Sequence, residues 1–173
     1  MLTGFSNGTA LKLEALGTSG IAWSSFENIH IQDAKKGIHI EVAADGSFIN
    51  LLTFRSITIA GEGYEYGVLI DGPLSTTDWY GIALQAACPT KGHLVLNTNG
   101  AVNMYGVDIT SSETTCNDQT LLIHLSETTR GSYIHGRAGK GSIIDLGSNF
   151  IDLAGASSLG AVSYTHLTLP TKA

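Results

Sequence analysis

The segment FENIHI at residues 26–31, with GIHI at 37–40, is repeated as FRSITI at residues 54–59 with GVLI at 67–70. The first segments start at Phe26 and Phe54, and the second segments start at Gly37 and Gly67. Self-similarity at a spacing of roughly 28 to 30 residues is typical of a solenoid, in which each coil of backbone stacks on the one before it. The spacing therefore predicts stacked coils of about 28 residues each.

The rest of the chain shows the same pattern of short strands. Short runs rich in valine, isoleucine and leucine are separated by glycine, asparagine, aspartate and serine, as in the turn at residues 97–100 (NTNG). No stretch keeps the 3.6-residue period of a helix over three turns. The sequence therefore predicts an all-β chain.

The order of inward and outward residues predicts a bend in each coil. Phe26 and Asn28 share one face of an extended strand, whereas Ile29 and Ile31 share the other. The apolar side chains all point inward only if the chain turns a corner at Asn28. Ser56 occupies the same corner one coil later, and we expect both small polar side chains to be buried there, paired with backbone groups that the bend leaves unpaired.

The repeated pattern of Phe-x-Asn/Ser-Ile-x-Ile, then Gly-Ile/Val-x-Ile, resembles the right-handed parallel β-helix proteins of the pectate-lyase-like superfamily. The resemblance covers most of residues 10–153 and implies a right-handed parallel β-helix of about five to six coils. Residues 101–109, 130–137 and 141–149 are more similar to phage or prophage tail proteins of the tailspike type than to secreted pectinases. That similarity implies a homotrimer in the virion, with a polysaccharide or cell-surface glycan as its partner.

The C-terminal residues differ from this pattern. Residues 162–171 (VSYTHLTLPT) resemble the translation of a common DNA-sequencing adapter, so we expect no fold for residues 162–173. The alternative is a genuine C-terminal tail. Residues 1–161 are predicted to be a fragment of one parallel β-helix.

Charge and composition argue against several classes of partner. The formal net charge is −6, and the nine lysines and arginines are thinly spread, whereas binding to nucleic acid needs clustered cations. No apolar run is long enough to span a bilayer, so we expect no membrane partner. No aspartate-rich calcium loop occurs, and we expect no metal and no cofactor.

The two cysteines, Cys88 and Cys116, form no metal-like or redox-like pairing in the sequence. Their separation equals the distance from Phe26 to Phe54, so they could stack on each other if this distance is one coil. We interpret them as two buried, reduced thiols that act as small apolar side chains.

Glu41 and Asp71 are the candidate catalytic residues. Both occupy equivalent outward positions on successive coils, where neighbouring backbones lie about 4.8 Å apart. A retaining glycosidase uses two carboxylates about 5 to 5.5 Å apart. The alternative is a solvated pair without catalysis, because acidic residues are common where a strand enters a turn. The sequence lacks the motifs that the resemblance to pectinases would imply, namely Asn-Thr-Asp, Asp-Asp and Gly-His-Gly.

Four aromatic residues are the candidate ligand-binding residues. Tyr64 and Tyr66 lie in a glycine-rich loop at residues 61–67, and Trp79 and Tyr80 follow a second loop. If these rings stand free of the coil, they suit the faces of sugars, because they are flat and carry a polar edge. The alternative is that Trp79 begins a strand and is buried, with the two tyrosines covering a loop.

Two functions of different classes follow from these observations. The first is a β-helix shaft of a phage or prophage tail appendage that contacts host surface polysaccharide. The alternative is a secreted polysaccharide lyase or glycoside hydrolase on the same scaffold. A trimer needs a long apolar outward stripe, which Leu69 fits, whereas an enzyme needs an acidic, aromatic-lined groove, which Glu41 and Asp71 fit. The sequence leaves both functions open.

Overall fold

The computed structural model describes residues 1–5, 7–43, 46–86, 88–111, 121–139 and 141–154. Within these ranges the chain is all β, with no helix. The described residues form fifteen strands: β1 (Leu2–Thr3), β2 (Thr9–Ala15), β3 (Gly20–Ala22), β4 (Ser25–Gln32), β5 (Lys36–Val42), β6 (Phe48–Asn50), β7 (Leu52–Gly61), β8 (Tyr66–Asp71), β9 (Thr76–Ala86), β10 (Gly92–Asn97), β11 (Ala101–Ser111), β12 (Leu121–Leu125), β13 (Arg130–Ala138), β14 (Ser142–Asp145) and β15 (Ser148–Ala154).

The strands form three sheets in which every pair is parallel. Sheet A has the order β1-β4-β7-β9-β11-β13-β15, sheet B the order β14-β12-β10-β8-β5-β2, and sheet C contains β3 and β6. Because neighbours within a sheet are separated by one circuit of the chain, the fold is a parallel β-solenoid of about five turns. The predicted all-β parallel fold is confirmed, whereas the right-handed sense of the coil stays a prediction.

The repeated segments lie directly over one another, as their spacing predicts. Phe26 pairs with Phe54 in sheet A, and Ile40 pairs with Ile70 in sheet B. The equivalent position in the next strand of sheet A is Trp79, which pairs with Phe54. Columns of inward side chains therefore fill the interior, and burial of their apolar surface is the main term that favours folding.

The corner predicted at Asn28 and Ser56 is confirmed, and it uses left-handed backbone. The φ angles are 56° at Asn28 and 53° at Ser56, and glycines with φ of 66° and 70°, Gly81 and Gly106, follow in the next two coils. Both polar side chains are exposed, so the expectation that they are buried is wrong. The reason is geometric: Arg55 and Ser56 are two consecutive outward residues between the inward Phe54 and Ile57, and the left-handed residue is the second of the two.

Sheet C contains only β3 and β6, which lie in the first coils, and each of these strands is followed by a second left-handed corner. Trp23 and Leu51 both have φ of 53° there, and their side chains are 79% and 50% exposed. Left-handed backbone costs roughly 1–2 kcal/mol for a residue other than glycine. In later coils, short turns after β8, β10 and β12 lead directly into sheet A.

Cys88 is held in a disulfide, so the interpretation of this residue as a reduced thiol is wrong. The other cysteine, Cys116, lies outside the described residues, as do residues 162–173 with their resemblance to an adapter.

Candidate functional site

The candidate catalytic pair is aligned as predicted, with Glu41 beside Asp71 on neighbouring strands of sheet B. The Lys12 ammonium lies 2.8 Å from the Glu41 carboxylate and 2.6 Å from that of Glu14. Its hydrogen bond lowers the pKa of Glu41 below the ordinary value. Asp71 Oδ1 accepts a 2.7 Å hydrogen bond from Asn97 Nδ2.

A glycosidase also needs a carboxylic acid that stays protonated until it donates to the leaving group, and this requires a raised pKa. The ion pair with Lys12 acts on Glu41 in the opposite direction, because it favours the charged carboxylate. The positions of the two carboxylates therefore fit a glycosidase, but the pKa of Glu41 is lowered, whereas a general acid needs a raised pKa. A catalytic role for Glu41 and Asp71 stays a prediction.

Three of the four candidate aromatic residues are buried. Trp79 is fully enclosed, and Tyr64 and Tyr66 are 1% and 3% exposed, so their rings offer no free face to a ligand. The Tyr64 hydroxyl shares a hydrogen bond with Nδ1 of His93, which is also buried. Burial raises the pKa of Tyr64 and lowers that of His93 to about 3, so both side chains are neutral at pH 7. For these three rings the alternative of a buried, structural role holds.

Tyr80, the fourth candidate, points outward and is 40% exposed. The register explains the difference from its neighbour in sequence. Trp79 pairs with the inward Phe54, whereas Tyr80 pairs with the outward Arg55. Because successive side chains of a strand point to opposite faces, one step along β9 moves a ring from the core to the solvent.

Tyr80 belongs to a larger surface, which we call the ring ladder: Arg55, Tyr80, Tyr105, Tyr133 and Phe150 on the outer face of sheet A. The Arg55 guanidinium lies 5.4 Å from the Tyr80 ring centroid. The centroids of Tyr80 and Tyr105 are 5.2 Å apart, those of Tyr105 and Tyr133 are 5.4 Å apart, and those of Tyr133 and Phe150 are 5.2 Å apart. The ladder crosses five adjacent strands and is roughly 19 Å long at about 4.8 Å per strand.

The ladder is exposed and flanked by polar groups. Asn103 Nδ2 donates a 2.9 Å hydrogen bond to Asp78 Oδ1, and this pair is aligned on β11 and β9. Beside Tyr133, the parallel imidazole of His135 lies 6.3 Å away between ring centroids, and His135 Nε2 is 3.9 Å from an Asp152 carboxylate oxygen. Apolar rings and hydroxyl-binding side chains therefore share one face.

This combination suits a carbohydrate chemically. Sugars present C–H faces that pack on aromatic rings and hydroxyls that pair with carboxylates and amides. Stacking of rings across strands also stabilises a sheet by itself, which gives the ladder a structural role as well. The exposed fractions of Tyr105 (39%) and Phe150 (57%) nevertheless leave much ring surface in contact with water.

Sequence reasoning found Tyr80 but missed Tyr105, Tyr133 and Phe150. One signal was present: Tyr80 precedes the corner glycine Gly81, and Tyr105 stands in the same position before Gly106. The other two rings carry no such signal, because Tyr133 pairs with Asn103 and not with Tyr105, and Phe150 pairs with Tyr133.

Among the described residues, no three histidine, cysteine, aspartate or glutamate side chains come together as a metal site, and no helix could cross a membrane. Comparisons of the chain with protein-family models, with curated proteins and with solved structures gave no match. Function is therefore inferred from the side chains themselves.

Proposed function

We propose that this chain is part of a β-solenoid shaft that binds a polysaccharide along the ring ladder. The observation that carries the proposal is the row of partly exposed rings on the outer face of sheet A, with polar side chains on either side. Such a row is extended and open, which suits a polymer better than a small molecule that needs enclosure. Positive and negative side chains pair with each other on this face, as Arg55 does with Glu27 and Arg137 with Asp108, which favours an uncharged polymer.

The shaft, on this proposal, belongs to a phage or prophage tail appendage of the pectate-lyase-like β-helix type and contacts host surface polysaccharide. It would work in the virion, outside the cell. The disulfide at Cys88 supports such an oxidising location, because disulfides are rare in the cytosol. The repeated sequence pattern and the parallel solenoid support the type of scaffold.

The proposed assembly is a homotrimer. Leu69 and Val95 are neighbours in an outward column on sheet B, which continues through His124 to Ile144. All four side chains are partly exposed. In the other direction the column continues from Leu69 to His39 and Lys12. A straight column at one-strand spacing, apolar at Leu69, Val95 and Ile144, fits a second copy of the chain, whose own side chains repeat at that same distance.

A polysaccharide lyase or glycoside hydrolase is the second candidate, favoured by the alignment of Glu41 with Asp71. The ion pair of Glu41 with Lys12 speaks against it. An assay of reducing-end release from bacterial polysaccharides by the full chain distinguishes the two functions. Release that disappears in Asp71→Asn would favour the enzyme.

Affinity electrophoresis tests the ladder, with the full chain run through native gels that contain neutral bacterial surface polysaccharides. We expect at least one polysaccharide to retard the parent chain, and Tyr105→Ala and Phe150→Ala to weaken that binding about tenfold, which corresponds to about 1.4 kcal/mol. Trp23→Ala is the matched control, because it removes an exposed ring outside the ladder. Absence of retardation by every polysaccharide, or equal weakening by all three variants, would contradict the proposal.

A further inference from the structure

A pocket of about 320 Å³ lies on another side of the solenoid, where the turns after β8, β10 and β12 come together. Most of its exposed lining is apolar, with Pro73 as one wall, and its polar groups come from Asp71, Asn97, Asn99 and Thr128. These turns replace the strands of sheet C that occupy the corresponding part of the earlier coils. The volume falls within the range of natural small-molecule sites, which is roughly 300–1,000 Å³.

The walls of the pocket are fixed by hydrogen bonds between coils. The Gly72 amide donates to the Asn97 carbonyl at 3.0 Å. Gly72 has φ of 95°, and a Cβ there would collide with the Val42 carbonyl oxygen, so the turn requires glycine. Thr98 is buried, and its amide donates at 3.3 Å to Thr129 Oγ1. The pocket is therefore formed before any ligand arrives, which reduces the entropic cost of binding.

The hydrogen-bonding groups of the pocket match a ligand rich in hydroxyls. Asp71 uses Oδ1 to accept from Asn97, and its Oδ2 accepts no hydrogen bond from the described residues. Asn99 is exposed and offers both a donor and an acceptor, and the exposed Thr128 hydroxyl, which shares a 2.9 Å hydrogen bond with Ser126 Oγ, adds an acceptor. A carboxylate oxygen accepts hydrogen bonds from hydroxyls, and an amide can both donate to one hydroxyl and accept from another.

Charge narrows the class of ligand. The lining contains one carboxylate and no cationic side chain, which disfavours phosphate, sulfate and acidic sugars. A calcium ion takes six to eight oxygen ligands and usually several carboxylates, whereas Asp71 is the single acidic residue of the lining. A neutral sugar ring donates hydrogen bonds from its hydroxyls to the Asp71 carboxylate and pairs with the amides, without bringing a second negative charge into the pocket.

We infer that this pocket binds one neutral sugar unit, at a site separate from the ring ladder. The inference does not depend on the ladder, because it follows from the lining of the pocket. The turns of the pocket lead into β9, β11 and β13, the strands that carry the three tyrosines of the ladder.

Saturation-transfer NMR on the full chain tests the pocket with free glucose, galactose, mannose, rhamnose and N-acetylglucosamine as probes. We expect transfer to at least one sugar in calcium-free buffer. Asn99→Ala and Asp71→Asn should weaken its binding about fivefold to tenfold, since the first removes an amide and the second replaces the accepting Oδ2 with an NH2 donor. Asn99 is exposed, so its replacement leaves the fold intact. Trp23→Ala is the matched control, because its exposed side chain lies outside the pocket and the ladder, and it should leave transfer unchanged.

Three results would overturn the inference. The first is the absence of transfer to all five sugars. The second is transfer that survives both pocket variants or disappears in Tyr105→Ala, which would assign the sugar to the ladder. The third is transfer that needs added calcium, which would make the pocket a cation site. If only the ladder proposal is wrong, no polysaccharide retards the chain in gels, whereas transfer to a monosaccharide is still observed.

Discussion

Phe54 lies face to face with Trp79 inside the solenoid, with ring centroids 3.8 Å apart and planes inclined by 11°. Phe26 extends the stack on the other side at 4.9 Å from Phe54. Three consecutive coils are thus joined by rings that water does not reach at Phe54 and Trp79. The stack is the centre of the hydrophobic interior in this part of the chain.

Removal of the middle ring should be costly. We expect Phe54→Ala to lower the free energy of unfolding by about 3–5 kcal/mol, because it removes buried apolar surface and leaves a cavity between two rings. Urea denaturation followed by circular dichroism measures the loss. Phe150→Ala is the control, since its ring is 57% exposed, and it should cost less than about 1 kcal/mol. Equal losses in the two variants would contradict the stacked interior.

The left-handed corner makes a prediction at Gly81. Its φ is 66°, and a Cβ there would meet no atom within 4 Å, so any cost of Gly81→Ala comes from backbone strain. We expect a loss of roughly 1–2 kcal/mol in unfolding free energy. Gly63→Ala is the control, because that position is equally open and lacks a left-handed φ. There the change should be neutral or slightly stabilising, so a similar loss at both sites would argue against the corner.

Burial of His93 makes stability depend on pH. Its folded-state pKa of about 3 lies below the unfolded value of about 6.5. Between these values the unfolded chain binds a proton that the folded chain does not. The free energy of unfolding is therefore highest above pH 6.5 and falls as the pH is lowered towards 3, by up to about 1.4 kcal/mol per pH unit. Burial also lowers the pKa of His39, which adds to the effect in the same direction.

Urea midpoints at pH 7, 5.5 and 4.5 measure this slope. In His93→Gln the side chain cannot titrate, and the slope should be shallower than that of the parent chain. An identical slope in the two proteins would show that His93 gains no proton on unfolding.

Leu51 carries backbone strain that a substitution can relieve. Its φ is 53° and half of its side chain is exposed, whereas asparagine tolerates left-handed backbone. We expect Leu51→Asn to stabilise the monomer by up to about 1 kcal/mol, seen as a higher melting temperature. The adjacent Leu52 is fully buried, so Leu52→Asn should destabilise the chain. A lower melting temperature for Leu51→Asn would mean that this side chain is covered by something else.

The disulfide at Cys88 is open to a direct count. In a chain with two cysteines, we expect no reactive thiol after unfolding without reductant, and two after reduction. Ellman's reagent gives the number. Two thiols before reduction would restore the interpretation of both cysteines as reduced.

The parallel stacking was predictable because the repeat places Phe54 where Phe26 stood one coil earlier, and the register follows from like side chains in like positions. The corner at Asn28 was predictable from parity alone. The outward direction of Asn28 was not predictable, because parity places Phe26 and Ile29 inward without fixing which way Asn28 points between them. The exposure of Tyr80 and the burial of Trp79 could be predicted only if the pairing of Trp79 with Phe54 was known.

The ladder and the pocket depend on information that lies outside any local pattern. Tyr133 pairs with Asn103 and reaches Tyr105 diagonally, from a position two residues earlier in the register. The pocket joins Asp71 to Thr128 across turns that are far apart in sequence. Contacts of this kind arise only when the coils are packed in three dimensions.

Sheet C has a consequence for how the rod meets its neighbours. Because β3 and β6 have no counterpart in the later described coils, the outline of the rod changes along its length. Two copies lying side by side and displaced by a single rung would face mismatched profiles. In the proposed trimer, the extra strands would favour one axial alignment of the subunits, which a perfectly uniform repeat would leave undetermined.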